Sequence, residues 1–304
     1  MIARRNLAAV ACLLATFSSG CAALGPWSPL AISERKGIFQ PDKYPAGDWE
    51  PTAVLVQDAH FNADDGTKLH GWYVRHESPK AHALLLHGNA GNVTLLAETL
   101  RLLNRRHGLA VLAIDYRGYG RSEGKPSEAG VLLDARAGRK WLAEKEGITE
   151  GDVMLMGFSL GGGVAVDLAA SDGARVLVLV NTFTSLPDVA QHHLRWLPMS
   201  WLLTMQMNSL EKIKNYRGPL LLSHGDADKV IPYEQGLALY EAAPGPKQMV
   251  TIKGGGHNDP QPEEYRAALD RFIASLPPQG TVSAKTASVE ISVSPLPSLL
   301  DKSR

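Results

Sequence analysis

Residues 153–163 read VMLMGFSLGGG, and within them Gly157, Ser159 and Gly161 form a Gly-x-Ser-x-Gly pattern. An apolar run precedes the serine, and a run of small, helix-compatible residues, GVAVDLAAS, follows it. A strand that turns directly into a helix forces the turn residue into strained backbone angles and leaves its side chain in the open. Residues two places to either side must then be small, because a Cβ there would meet the adjacent backbone. Such a turn sets the Ser159 hydroxyl at a strand tip and at a helix N-terminus, where unpaired N–H groups and the helix dipole favour negative charge. A serine hydroxyl is a weak nucleophile by itself. It needs a base to take its proton and an acid to fix the tautomer of that base. Downstream the chain offers Asp226 and Asp228 as acids, and His257, flanked by Gly254, Gly255, Gly256 and Asn258, as the base. Acyl transfer also needs two N–H donors aimed at the developing oxyanion. The Leu160 N–H directly follows the serine. The loop His87-Gly88-Asn89-Ala90-Gly91, after an earlier apolar run, supplies the second, assigned here to the Asn89 backbone N–H. His87 itself precedes a glycine at a strand end and is expected to bond loop backbone.

The elements that must position these groups are legible as short apolar runs. Residues 81–86 (AHALLL), 109–114 (LAVLAI), 175–180 (RVLVLV), 219–223 (PLLLS) and 248–252 (QMVTI), with the run before Ser159, read as strands. Continuous apolar runs of this length suit strands buried on both faces. Helical periodicity covers 94–106, 127–146, 233–243 and 262–276, with Ser127 as an N-cap and Gly147 as a stop. Asp64-Asp65-Gly66 between two alternating runs predicts a β-hairpin. Strands alternating with helices imply an α/β fold, a mostly parallel central sheet flanked by helices on both faces. In such sheets the ligand site lies beyond the carboxyl ends of the strands. The motifs of His87, Ser159, Asp228 and His257 all fall there.

The two ends of the chain read differently. Arg4 and Arg5, an apolar run over 7–17, and then Ser18-Ser19-Gly20-Cys21 have the layout of a signal peptide over residues 1–20. Small residues before a cysteine resemble a bacterial lipobox, although Ser18 stands where leucine is more usual. That resemblance implies lipidation of Cys21 and an exported protein of the cell envelope, periplasmic or outer-membrane, held at a membrane surface by its lipid. An ordinary cleaved signal or an uncleaved anchor is the alternative. The only cysteines are Cys12 and Cys21, so a chain cleaved before Cys21 has no internal disulfide. Residues 21–50 are expected to be an irregular, proline-rich spacer, 51–276 the folded domain, and 277–304 a flexible tail. Lys plus Arg equals Asp plus Glu at 31 each, with no basic run beyond the extreme N-terminus, which gives no sign of a nucleic-acid partner.

Taken together, HGNAGN, DYRGYGRSEG, GFSLGG, HGDADKVIP and GGGHND, in that order between Ala53 and Leu276, resemble the α/β-hydrolases of the Bem46-like group. The resemblance implies the α/β-hydrolase fold and a serine hydrolase acting on small-molecule acyl esters or thioesters, with no metal and no cofactor. The chain order Ser159, Asp228, His257 is that of the family's triad. Asp228, followed by KVIP, stands at the family's carboxylate position, which leaves Asp226 as a turn residue. Residues 115–122 become a structural loop lining the site, with Arg121 not catalytic. The resemblance also places a short lid at about 183–213. Its apolar side chains Trp196, Leu197, Met199, Trp201, Leu202, Leu203, Met205 and Met207, Trp196 and Trp201 foremost, are expected to cover the pocket and bind an acyl chain, with helix packing on the core as the alternative. His192 and His193 are expected at the surface of this segment, not on a metal. An aminopeptidase-like amide hydrolase and a non-catalytic hydrolase-like binding protein are the alternative functions.

Overall fold

A computed structural model describes residues 29–276; the expected signal segment, Cys21 and the tail 277–304 lie outside the described residues. The described chain opens with α1 (Pro29–Ile38) and a two-residue strand β1 (Gln40–Pro41), then forms a hairpin of β2 (Gln57–Asn62) and β3 (Lys68–Val74). Next come β4 (Ala81–Leu86), the short β5 (Ala90–Gly91), α2 (Ala97–Arg105), β6 (Leu109–Asp115) and α3 (Glu128–Glu146). β7 (Val153–Phe158), α4 (Leu160–Asp172) and β8 (Val176–Val180) follow. α5 (Leu186–His193), α6 (Met199–Leu202) and α7 (Ser209–Ile213) occupy the lid segment, and β9 (Leu220–Gly225), α8 (Tyr233–Ala242), β10 (Lys247–Ile252) and α9 (Glu263–Ala274) complete the fold.

Eight strands form one sheet in the order β10-β9-β8-β7-β4-β6-β3-β2. The β2/β3 and β3/β6 pairs are antiparallel and the rest parallel. The apolar runs are continuous because both faces are covered. Leu84, Leu86, Leu112, Leu155 and Leu177 pack in the core on one face, while Ala83, Leu85, Val111, Met154 and Val178 pack on the other. Each fully buried aliphatic side chain contributes about 1.5–3 kcal/mol, so the central strands carry much of the stability. The chain runs from β4 outward to β6, then crosses back to β7 on the other side of β4. This reversal opens the crevice where open α/β sheets place a site. Asn89 and Ser159 follow the two strands that border it. α3 is capped as its sequence predicts: the Ser127 hydroxyl accepts the Gly130 N–H, and Gly147 ends the helix at φ +66°. The helix expected from Thr94 begins instead as a 3-10 turn over Val93–Leu96, capped by Asn92, before α2.

α1 departs from the irregular spacer expected for 21–50. Pro29 sits in the first turn, where its missing N–H has no intrahelical partner to lose. Tertiary bonds then fix the helix. Glu34 is buried, and its carboxylate accepts the Thr204 hydroxyl and the Met205 N–H, each at 2.7 Å. After α1 the chain is stitched to the loop that follows β4. β1 pairs in parallel with β5, Gln40 N–H donates to Asn89 O at 2.8 Å and Asp42 N–H to Gly91 O at 3.0 Å.

Candidate active site

Ser159 has φ +52° and ψ −117°, a strained conformation for a residue with a Cβ. Its neighbours hold it there. The Ser159 N–H donates to Val180 O at 3.0 Å, and its carbonyl accepts Thr182 Oγ1 at 2.8 Å. The glycines of the motif are required by close approach. A Cβ on Gly157 would lie 2.4 Å from Gly161 O, and one on Gly161 would lie 2.0 Å from Leu86 O. Strand β7 and helix α4 therefore meet at van der Waals limit, and the helix also presses on the end of β4.

Ser159, Asp228 and His257 come together beyond the carboxyl ends of β7, β9 and β10. Ser159 Oγ lies 3.0 Å from His257 Nε2, and His257 Nδ1 lies 2.7 Å from Asp228 Oδ2. Burial alone would push the Asp228 carboxyl up. Hydrogen bonds from His224, His257 and the Ile231 N–H outweigh it and hold the group well below the usual carboxylate range. An ionised carboxylate can only accept, so Nδ1 of His257 carries a proton and Nε2 faces Ser159 with its lone pair. The other Asp228 oxygen accepts the N–H groups of Val230 and Ile231 at 2.8 and 2.9 Å, which fixes the carboxylate plane. Asp226 is the turn residue expected: it accepts the Gly254 N–H at 2.6 Å and does not reach His257.

Asn181 and His224 also frame the relay, and neither stands out in the sequence. Asn181 has φ +46°, accepts the Gly225 N–H at 3.0 Å and donates Nδ2–H to His257 O at 2.8 Å. It thus ties the Asp228 strand to the His257 loop. Asn tolerates this left-handed conformation better than most residues, which is the only local signal it gives. His224 is fully buried, with Nε2 3.0 Å from Ile231 O and 3.4 Å from Asp228 Oδ2.

The Leu160 N–H is the first of α4 and has no helical carbonyl behind it. Asn89 lines the same cavity as Ser159 and Leu160. Its carbonyl is held by Gln40 N–H at 2.8 Å and the Tyr119 hydroxyl at 2.7 Å, which pins the peptide that follows Asn89. His87 behaves as a loop brace. Its Nδ1–H donates to Gly88 O at 2.7 Å, its ring packs on Tyr116 and Tyr119, and burial lowers its pKa. Residues 115–122 back the site from behind and do not line the cavity. Arg121 pairs with Asp58 at 2.8 Å and stacks over Tyr44 and Trp49.

The serine opens into an apolar cavity of about 310 Å³, lined in part by Phe183, Leu186, Met199, Leu202 and Val230. Such a volume is at the small end of small-molecule sites. Trp196 and Trp201 do not line it: they are 65% and 89% exposed. The reason for Trp201 is helical geometry. Met199, Leu202 and Leu203 stand at i, i+3 and i+4 and turn inward together, so the residue at i+2 faces solvent. α1 supplies Ser33, Glu34, Gly37 and Ile38 to the lining instead. His192 and His193 are exposed, and His193 Nε2–H donates to Val230 O at 2.9 Å. Among the described residues, Asp58, His60 and His70 bring ligand-type atoms within 4.8 Å of one another and could share a cation. Asp58 is engaged there by Arg121 and His70, and His70 also by Asp115 at 3.3 Å, so the group also reads as a hydrogen-bonded network bracing the hairpin.

This sheet, its switch point and the strand-to-helix turn define an α/β-hydrolase. Residues 77–211 match the family model described as "Serine aminopeptidase, S33". The chain is 37% identical over 245 residues to the uncharacterized protein Rv2307c of Mycobacterium tuberculosis, covering 79% of this chain and 87% of that one. It is 33% identical over 247 residues to the uncharacterized protein YfhR of Escherichia coli, covering 75% and 84%. The chain belongs to the α/β-hydrolase family that includes these two proteins. Among solved structures, the Pyrococcus furiosus esterase Pf2001 matches with a TM-score of 0.66 at 22% identity, over 78% of this chain and 97% of that one. Est1E from Butyrivibrio proteoclasticus, with ferulic acid bound, matches with a TM-score of 0.59 at 23% identity, over 72% and 99%. At these identities the two esterases share the fold.

Proposed function

We propose that the protein is a serine hydrolase of the Bem46-like group that cleaves carboxylic esters or thioesters through an acyl-enzyme on Ser159. The observation that carries this reading is the relay of Ser159, His257 and Asp228, at 3.0 and 2.7 Å, opening on an apolar cavity. Ser159 Oγ attacks the acyl carbon as its proton passes to His257 Nε2, and Asp228 stabilises the imidazolium that forms. The N–H groups of Leu160 and Asn89 receive the oxyanion. The imidazolium then protonates the departing alkoxide or thiolate. Water enters, gives its proton to His257, and releases the acid by the same steps in reverse order.

The description of the matched family favours a second reading, amide hydrolysis of the aminopeptidase type. That chemistry needs an acceptor for a substrate α-amine. Glu34 is the only carboxylate among the cavity's lining residues, and both its oxygens are engaged by Thr204 and Met205. This supports the ester reading. Rates on p-nitrophenyl acyl esters of increasing length, compared with aminoacyl p-nitroanilides, test it. Ester turnover is expected, with an optimum in acyl length, and a fall of at least about 10⁴-fold in Ser159→Ala. Anilide turnover without ester turnover would transfer the assignment to the peptidase reading.

We further propose that the mature chain is exported and tethered by a lipid on Cys21. Mass spectrometry of the mature N-terminus tests this: an acylated Cys21 is expected, and an unmodified peptide beginning beyond it would refute the tether.

A further inference from the structure

The lid segment that walls the cavity carries exposed indoles, and exposed basic residues adjoin the cavity lining in sequence, neither of which the cleavage of an ester requires. Trp196 and Trp201 stand on the outside of the lid, 65% and 89% exposed, while Met199 between them turns into the cavity. Val230, on the Asp228 loop, both lines the cavity and is 45% exposed. The bond from His193 to the Val230 carbonyl ties α5 to that loop, so lid and loop form one edge. Two exposed indoles on one short lid segment are not what a water-facing surface needs, and such patches mark interaction sites.

Three exposed basic residues adjoin this edge in sequence. Arg195 adjoins Trp196, Lys229 adjoins Val230, and Lys36 adjoins the cavity-lining Gly37, and all three are exposed. The chain as a whole has acidic and basic residues in equal number, 31 each, so this positive rim is local. The acids nearby are turned elsewhere. Glu34 is buried against Thr204 and Met205, Asp188 on α5 accepts the Thr184 hydroxyl, and Asp226 accepts the Gly254 N–H. The described chain also begins here. Ser33, about one helical turn from Pro29, lines the cavity, so the first described helix forms part of its wall.

Exposed indoles on a segment that walls an apolar cavity, with exposed basic residues next to its lining in sequence, match the boundary between hydrocarbon and anionic headgroups. We propose that this rim docks on an anionic lipid bilayer, with Trp196 and Trp201 in the headgroup–acyl boundary and the cavity opening onto the membrane. An acyl substrate then enters from the lipid and not from water. The docking surface stands on the rim itself; the entry of an acyl ester rests on the function proposed above.

The test uses the full chain carrying Cys21→Ser, so that no lipid on that cysteine supplies the binding. It is compared with the same chain carrying Trp196→Ser and Trp201→Ser as well. Both are sedimented with vesicles of phosphatidylcholine alone and of phosphatidylcholine mixed with phosphatidylglycerol. The parent is expected to bind the mixed vesicles more tightly, and less so as salt rises. The double substitution is expected to weaken that binding about tenfold or more, since affinity scales with the apolar area inserted. On a long-chain ester embedded in the vesicles the variant is expected to slow by a similar factor, while both proteins cleave a water-soluble short-chain ester equally. Equal vesicle binding by parent and variant would overturn the proposal. So would a concentration-dependent dimer of the parent that the substitutions abolish, which would assign the indoles to a second copy of the chain. If neither protein cleaves any ester but the binding difference persists, the docking surface stands and the esterase reading falls.

Discussion

Asp228 is held ionised although it is buried, because two histidines and two backbone N–H groups converge on its oxygens. That charge selects the His257 tautomer with its lone pair toward Ser159. Asp228→Asn keeps the shape but removes the charge and lets the amide favour the wrong tautomer. The expected outcome, read from steady-state rates, is a fall in kcat of roughly 10³- to 10⁴-fold with KM little changed. An unchanged kcat would remove Asp228 from the relay. Asn181 acts one step further out, joining Gly225 to the carbonyl of His257. Its replacement by Ala is expected to lower kcat by up to about 100-fold, the scale of a roughly 1 Å misplacement, while KM moves little. A change in KM alone would argue against positioning. Ser159, Asp228 and His257 were legible because each sits in a motif of its own. Asn181 was not, because its partners lie far from it in sequence and its own surroundings, VNTFT, carry no pattern. Trp196 and Trp201 face solvent although the lid pattern points them inward, since apolarity does not say which side of a short segment a residue occupies.

At the scale of elements, the strands were readable and the strap was not. A strand covered on both faces must be apolar throughout, so β4, β6, β7, β8 and β9 announce themselves. α1 is short and mixes apolar with charged residues, and what fixes it is Glu34 reaching the loop after α6 and β1 pairing beside Asn89. Such bonds between distant segments leave no periodicity. Glu34→Ala removes two hydrogen bonds to a buried carboxylate, each worth about 1.5–3 kcal/mol. Faster amide exchange over α1 and residues 203–207 is expected, with long-chain esters losing more rate than short ones. Unchanged exchange there would mean that the strap is held by other contacts. Gly161→Ala is expected to destabilise the fold by about 1–3 kcal/mol or more in denaturant unfolding, because its Cβ would meet the Leu86 carbonyl, which is backbone and cannot swing aside. A wild-type midpoint would contradict the packing of α4 on β4.

For the molecule as a whole, acid should be destabilising before the carboxylates titrate. Burial lowers the pKa of both His87 and His107, the latter against the pull of Asp270. Unfolded histidines titrate near about 6.5, so below that pH the unfolded chain binds more protons than the folded one. The stability from these neutral rings is fully present above that value and is lost as pH falls toward their folded pKa values. Tm is therefore expected to drop between about pH 7.5 and about pH 5.5, and a rise would contradict the neutral assignment. The same fold brings the hydroxyl at 159 to an imidazole 98 positions away in sequence. The measurement that tests this assembly most directly is labelling of the folded protein with a fluorophosphonate, followed by peptide mass mapping. Stoichiometric phosphonylation of Ser159, strongly slowed in His257→Ala and absent after denaturation, is the expected result. A folded protein left unlabelled at Ser159, or labelled at another serine, would contradict it.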